Sequence, residues 1–175
     1  MERSREVLQR CANQYAHEAD HVTIAVSGGT DSVLAADVMA RLGPEYGLAP
    51  DSVTHINTGA GVPQSRLTAK IIAELHGLEF VEQGYRKRSD ALAVRVLGHG
   101  WSGGYAGSPQ TGGHGLEWAN RKDKPMNAVY MLHDGFQIWV SGARKLESKK
   151  RQGNVPDSGV DQDKPRRVWV SVIGG

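Results

Sequence analysis

Val22, Thr23, Ile24, Ala25 and Val26 form an unbroken apolar or β-branched run, which predicts a buried strand. The pattern breaks at residues 27–32, Ser-Gly-Gly-Thr-Asp-Ser. It resumes with Leu34, Ala35, Val38, Met39 and Leu42 at helical spacing. Gly43-Pro44 is expected to stop that helix, glycine as a left-handed cap and proline as a residue that cannot continue it. Upstream, Val7, Leu8, Cys11, Ala12, Tyr15 and Ala16 fall on one face of a helix predicted over residues 2–19. Cys11 therefore reads as a small core residue, not a nucleophile. Downstream, residues 52–57 predict a second strand. Pro63 suits the first turn of a helix with Leu67, Ile71, Ile72 and Leu75 as its apolar face and Gly77 at its end. Residues 78–81 predict a third strand. This βαβαβ order implies parallel strands joined by right-handed crossovers, with ligands beyond the strands' carboxyl ends near a topological switch point.

The second half is less regular. Ser89 is a plausible N-cap for a helix over residues 91–97. Residues 136–140 and 168–173 predict core strands. Residues 98–115 and 152–167 are rich in Gly, Pro or Asp, without an apolar face, and read as long loops.

Composition narrows the setting. The chain has 175 residues and a net charge of +2, with a pI near 8.7. That is enough for one domain with a real core, and too mild a basicity to demand nucleic acid. No run is long enough to span a membrane, and the charged, helical N-terminus does not look like a signal peptide. One cysteine excludes an internal disulfide and points to a reducing, cytoplasmic setting. It also excludes an iron–sulfur or zinc site needing several cysteines from this chain. His99 and His114 lack the spacing and partner carboxylates of a metal site. Trp101 and Tyr105 suit stacking on a base or covering a site, and Arg86-Lys87-Arg88 is a short basic run.

The chemistry starts at residues 27–32. Gly28 and Gly29 let the backbone approach a ligand closely. The first amides of the following helix lack intrahelical partners and sit at the positive end of its dipole, and Ser27 and Ser32 add hydroxyls. No Walker A pattern is present. Ser-Gly-Gly-x-Asp-Ser between a strand and a helix resembles the pyrophosphate loop of the adenine-nucleotide α-hydrolase superfamily, which includes N-type ATP pyrophosphatases and the PAPS (phosphoadenosine phosphosulfate) reductases. Asn57-Thr58-Gly59 is similar to the Asp-Thr-Gly of PAPS reductase-like proteins, with Asn57 in place of the acid and Gln64 where Glu is common. Residues 120–126 resemble a Leu-Lys-x-x-Pro segment whose lysine, here Lys122, faces phosphate or sulfate. Residues 142–151 match Gly-x-Arg-x-x-Glu-Ser-x-x-Arg at every fixed position.

The resemblance implies a doubly wound α/β domain with a mainly parallel sheet and helices on both faces. It places nucleotide contacts at Ser27, Gly28, Gly29, Thr30, Asp31, Ser32, Asn57, Thr58, Gly59, Lys122, Gly142, Arg144, Glu147, Ser148 and Arg151. Ser27, Asp31 and Arg144 stand nearest the chemistry, and Asp31 is the candidate magnesium ligand. The implied activity is cleavage between the α- and β-phosphates of ATP, adenylating an acceptor and releasing pyrophosphate. PAPS is the alternative substrate, but PAPS reductases attack with a cysteine near the C-terminus. This chain ends at Gly174-Gly175 without one, either a compact version or a shortened product, so that route needs a thiol from a partner chain. A non-catalytic nucleotide-binding subunit is the third reading, favoured by Asn57, Gln64 and the missing tail. Expected partners are an adenine nucleotide, a nucleic-acid or small-molecule acceptor, and another protein or a second copy; neither an iron–sulfur cluster nor a membrane is expected.

Overall fold

The computed structural model describes residues 1–58, 63–84, 122–144 and 156–173. In chain order the elements are α1 (Glu2–Tyr15), β1 (Ala19–Ala25), α2 (Thr30–Leu42), a 3-10 turn (Gly43–Tyr46), β2 (Ser52–Asn57), α3 (Pro63–His76), β3 (Glu79–Gly84), α4 (Lys124–Tyr130), β4 (Phe136–Ser141), β5 (Val160–Lys164) and β6 (Arg167–Ser171). The strands form one sheet in the order β3-β2-β1-β4-β6-β5. All neighbours pair in parallel except β5, which runs antiparallel to β6. From β1 the chain steps outward to β2 and β3, then returns to the other side of β1 to lay down β4. The switch point therefore lies between the carboxyl ends of β1 and β4.

One face of the sheet carries the main core. Ile24, Val53, Ile138, Val140, Val168 and Val170 pack with Val7, Leu8 and Cys11 of α1 and with Ala35, Val38 and Met39 of α2. On the other face Val129 and Tyr130 of α4 pack with Trp139, Ile56, Val81 and Trp169. The architecture is doubly wound α/β, as expected. No helix among the described residues is long and apolar enough to cross a membrane.

Three expectations need correction. First, α3 does not bury its larger apolar residues. It turns Ala69, Ile72 and Ala73 inward and leaves Leu67, Ile71 and Leu75 between 50% and 69% exposed. Close seating on the sheet favours the small residues, and only Ile72 of the predicted face belongs to the core. Second, residues 160–164 form a strand, β5, where a loop is expected. Val-Asp-Gln-Asp-Lys has no alternation because it is an outer strand whose middle residues face solvent. Third, α2 does stop at Gly43-Pro44, but Gly43 is right-handed (φ −50°) and leads into the 3-10 turn; the left-handed residue is Gly47 at φ +70°. The predicted helix at residues 91–97, the loop at 98–115, and Arg86, Lys87, Arg88, His99, His114, Trp101 and Tyr105 lie outside the described residues.

Around the amino ends of β1 and β2 the sheet is held by polar groups that meet partners. Asp51 Oδ2 accepts the Val22 amide at 2.7 Å, and Asp20 Oδ2 accepts the Phe136 amide at 2.8 Å. His21 Nε2 lies 3.0 Å from Ser52 Oγ, which donates to Thr23 Oγ1 at 2.8 Å, and the Thr23 and Thr54 hydroxyls are 2.8 Å apart. The His21 ring stacks on His133 with centroids 3.8 Å apart. Burial, reinforced by His133, holds the His21 imidazole below its ordinary pKa, against an opposing pull from Asp51 and Glu79.

Candidate functional site

β1 hands over to α2 through a loop whose shape glycine alone permits. Gly28 sits at φ +87°, and a Cβ there would lie 2.5 Å from Ser65 Cα in the first turn of α3. Both backbone conformation and space therefore exclude a side chain. Ser32 knots the loop. Its hydroxyl donates to the Gly29 carbonyl at 2.8 Å and accepts from the Ser27 amide and the Ser27 hydroxyl, each at 3.2 Å. Its role is to hold the loop's curve, with Ser27 nearer the open side. The α2 helix starts on Gly29, extended at φ −81° and ψ 156°, with no side chain capping its first amides. Those N–H groups and the dipole behind them make an electropositive end.

β4 delivers the second turn to the same place. A Cβ on Gly142 would lie 2.5 Å from the Asp31 carbonyl carbon and oxygen and 2.6 Å from the Ser32 nitrogen. The backbones of the two turns thus touch at a point that no other residue type could occupy without moving one of them. Two residues on, Arg144 Nε donates to Asp31 Oδ2 at 2.8 Å, and Nη2 approaches the same oxygen at 2.7 Å. The arginine is about half exposed, so this pair contributes little to stability and is free to exchange partners. Ala25, Ser27, Gly29, Thr30, Asp31, Ser32, Ser141, Gly142, Ala143 and Arg144 line a cleft of about 450 Å³ between the turns. Residues 113 positions apart in sequence meet here, at the rim where a parallel sheet offers its switch point.

The remaining predicted residues distribute unevenly. Asn57, Thr58 and Lys122 are described, and none of the three is among the residues lining the cleft. The Asn57 side chain donates to Glu82 Oε1 at 3.0 Å on the adjacent strand, where Arg66 also donates to both carboxylate oxygens at 2.9 and 2.7 Å. Burial alone would raise the Glu82 pKa, but the hydrogen bonds from Asn57 and Arg66 and the charge of Arg66 outweigh it, and the carboxyl lies below its ordinary value. The carboxylate missing from position 57 is thus present one strand over, already paired. Gly59, Glu147, Ser148 and Arg151 lie outside the described residues. Sequence reasoning missed Ala25, Ser141 and Ala143 as lining residues and Ser65 as the wall behind Gly28. Ser141 was readable as the last strand residue before Gly142, whereas the Ser65 contact depends on how α3 seats against the loop.

Cys11 is fully buried in the α1 face of the core, and burial pushes its thiol up to about 12. It is not an available thiolate. Among the described residues no group of three or more His, Cys, Asp or Glu side chains is placed to hold a metal ion. Asp31 is the acidic residue lining the cleft. Magnesium is commonly held by one or two carboxylates together with ligand phosphates and water, so Asp31 suits a magnesium ion that arrives with a phosphate chain, provided Arg144 releases the carboxylate.

No protein-family model matches the chain, and no curated protein matches it. The structure is similar to that of phosphoadenylyl-sulfate (PAPS) reductase from Candida auris in a phosphate complex. The TM-score is 0.57 at 11% sequence identity, covering 93% of this chain and 70% of that chain. The fold is PAPS reductase-like.

Proposed function

We propose that this chain binds an adenine nucleotide by its phosphates in the cleft between residues 27–32 and residues 142–144, and that it is an enzyme of the ATP-pyrophosphatase type. An acceptor oxygen attacks the α-phosphorus, the bond from that phosphorus to the bridging oxygen of the β-phosphate breaks, and pyrophosphate leaves as the adenylyl group passes to the acceptor. The uncapped amides of α2 stabilise the departing charge. Arg144 turns from Asp31 to the phosphates, where its planar fork makes a stronger, bidentate contact. Asp31, once released, would hold magnesium, which supplies charge neutralisation along the phosphate chain. The observation that carries the reading is the Gly142 backbone lying against the Asp31–Ser32 backbone, which makes one site of two distant turns. The phosphate bound in the complex of the Candida auris enzyme is in keeping with an anion site on this fold.

The likeness to a PAPS reductase favours a second reading, in which the nucleotide is PAPS. Reduction would then require a thiol other than Cys11, which is the single cysteine of these 175 residues and is buried. Calorimetric titration with ATP, AMP and PAPS, followed by an assay for magnesium-dependent pyrophosphate release, separates the readings. Tight ATP binding with pyrophosphate release supports the first, and tight PAPS binding with weak ATP binding supports the second. Nucleotide binding without release across candidate acceptors marks a non-catalytic binding subunit. Absence of binding by any of the three nucleotides overturns the assignment of the cleft.

A further inference from the structure

The α3 helix presents its larger apolar residues to solvent. Leu67 is 55% exposed, Ile71 50% and Leu75 69%, while Ala69, Ile72 and Ala73 face the core. The three exposed residues recur every four positions, so they form a continuous stripe along the outer side. Lys70 and Glu74 flank it on one side, their side chains 3.6 Å apart and 51% and 65% exposed. We infer that this stripe is a docking surface for a second copy of the chain, with the two α3 helices antiparallel about a twofold axis at Ile71.

The sequence of the stripe is self-complementary in that arrangement. With a rise of about 1.5 Å per residue, the twofold sets Ile71 against the partner's Ile71 and Leu67 against the partner's Leu75. Lys70 then stands about 3 Å along the axis from the partner's Glu74, on the same side of the contact, and the reciprocal pair forms by symmetry. In a parallel pairing the twofold runs along the helices, so the Lys70–Glu74 flanks of the two helices fall on opposite sides of the contact and no reciprocal pair forms. Charge therefore selects the antiparallel dimer. Three side chains on one helix make a small interface compared with the roughly 1,200 Å² of a stable complex, so the dimer is weak and its population depends on concentration. The contact is independent of nucleotide binding, although α3 also backs the phosphate loop through Ser65 and Gly28.

Sedimentation equilibrium of the whole chain from micromolar to near-millimolar concentration tests this. The expected result is a reversible monomer–dimer equilibrium that Ile71→Glu weakens more than tenfold, with circular dichroism and thermal midpoint unchanged because the site is exposed. Lys70→Glu and Glu74→Lys each weaken it, and the double charge swap restores it. Ile71→Cys, on the twofold axis, cross-links to itself under mild oxidation while Cys11 stays buried. A chain that stays monomeric throughout, a dimer indifferent to Ile71→Glu, or a double swap weaker than either single change overturns the proposal. So does a cross-linking pattern that joins Leu67→Cys to itself and not to Leu75→Cys.

Discussion

The two ends of β1 carry similar residue types and use them in opposite ways. At the amino end Asp20, Asp51, His21 and Ser52 are tied to one another, to Thr23 or to backbone amides. At the carboxyl end Ser27, Thr30 and Asp31 border an open cleft, the first amides of α2 have no side-chain cap, and the ion pair to Arg144 is partly exposed. The first set locks strand to strand. The second is held in place by glycine contacts in the backbone, and its side chains bond to one another at the rim of an open cleft. Polar residues therefore mark a site only where their partners can be exchanged; where each is tied to a strand's backbone or to a buried side chain, they mark a joint.

Substitutions at the two ends should separate binding from stability. The largest effect is expected from Gly142→Ala, whose methyl would overlap the Asp31 backbone. It should cost about 3 kcal/mol of stability or force the turns apart, and nucleotide binding should fall beyond detection by calorimetry. Arg144→Ala should weaken nucleotide binding by about 1.5–3 kcal/mol, the range for charged hydrogen bonds. Because the Asp31 pair is exposed, its denaturation midpoint should barely move. Asp51→Ala inverts that pattern. Loss of the bond to the Val22 amide should cost about 1–2 kcal/mol in urea unfolding, with nucleotide affinity unchanged.

The smallest effect is a pH slope. The His21 pKa is lower folded than the ordinary 6.5, so below that pH the unfolded chain binds more protons than the folded one, and stability falls as pH falls through 6.5 toward the depressed value. The thermal midpoint measured from pH 7.5 down to 5 should drop accordingly. His21→Gln should flatten the drop, and a slope that persists in that variant would assign it to other groups.

The parallel half of the fold was legible because its signals are local. The apolar run at residues 22–26, the glycine break and the helical spacing after it fix strand, loop and helix without distant information. The pairing of residues 27–32 with Gly142 and Arg144 was legible through resemblance, and only the coordinates bring Gly142 against Asp31. β5 was invisible because an outer strand with a single valine carries no alternation. The α3 face was misread because helical spacing gives the stripe but not its direction. Two apolar stripes exist, and the one built from alanines seats closer to the sheet. Asn57 was read as a lost carboxylate, whereas its hydrogen bond to Glu82 is a cross-strand contact that no local pattern encodes.

The proposed phosphate site joins the two turns at the carboxyl rim and leaves the amino edge a structural joint. Backbone amide NMR spectra recorded while ATP is titrated into the chain test it most directly. Shifts are expected to concentrate at Gly28, Gly29, Thr30, Asp31, Ser32, Gly142, Ala143 and Arg144, with His21, Val22, Ser52 and Gln137 unmoved. Shifts centred on the amino edge, or confined to one of the two turns, would contradict it.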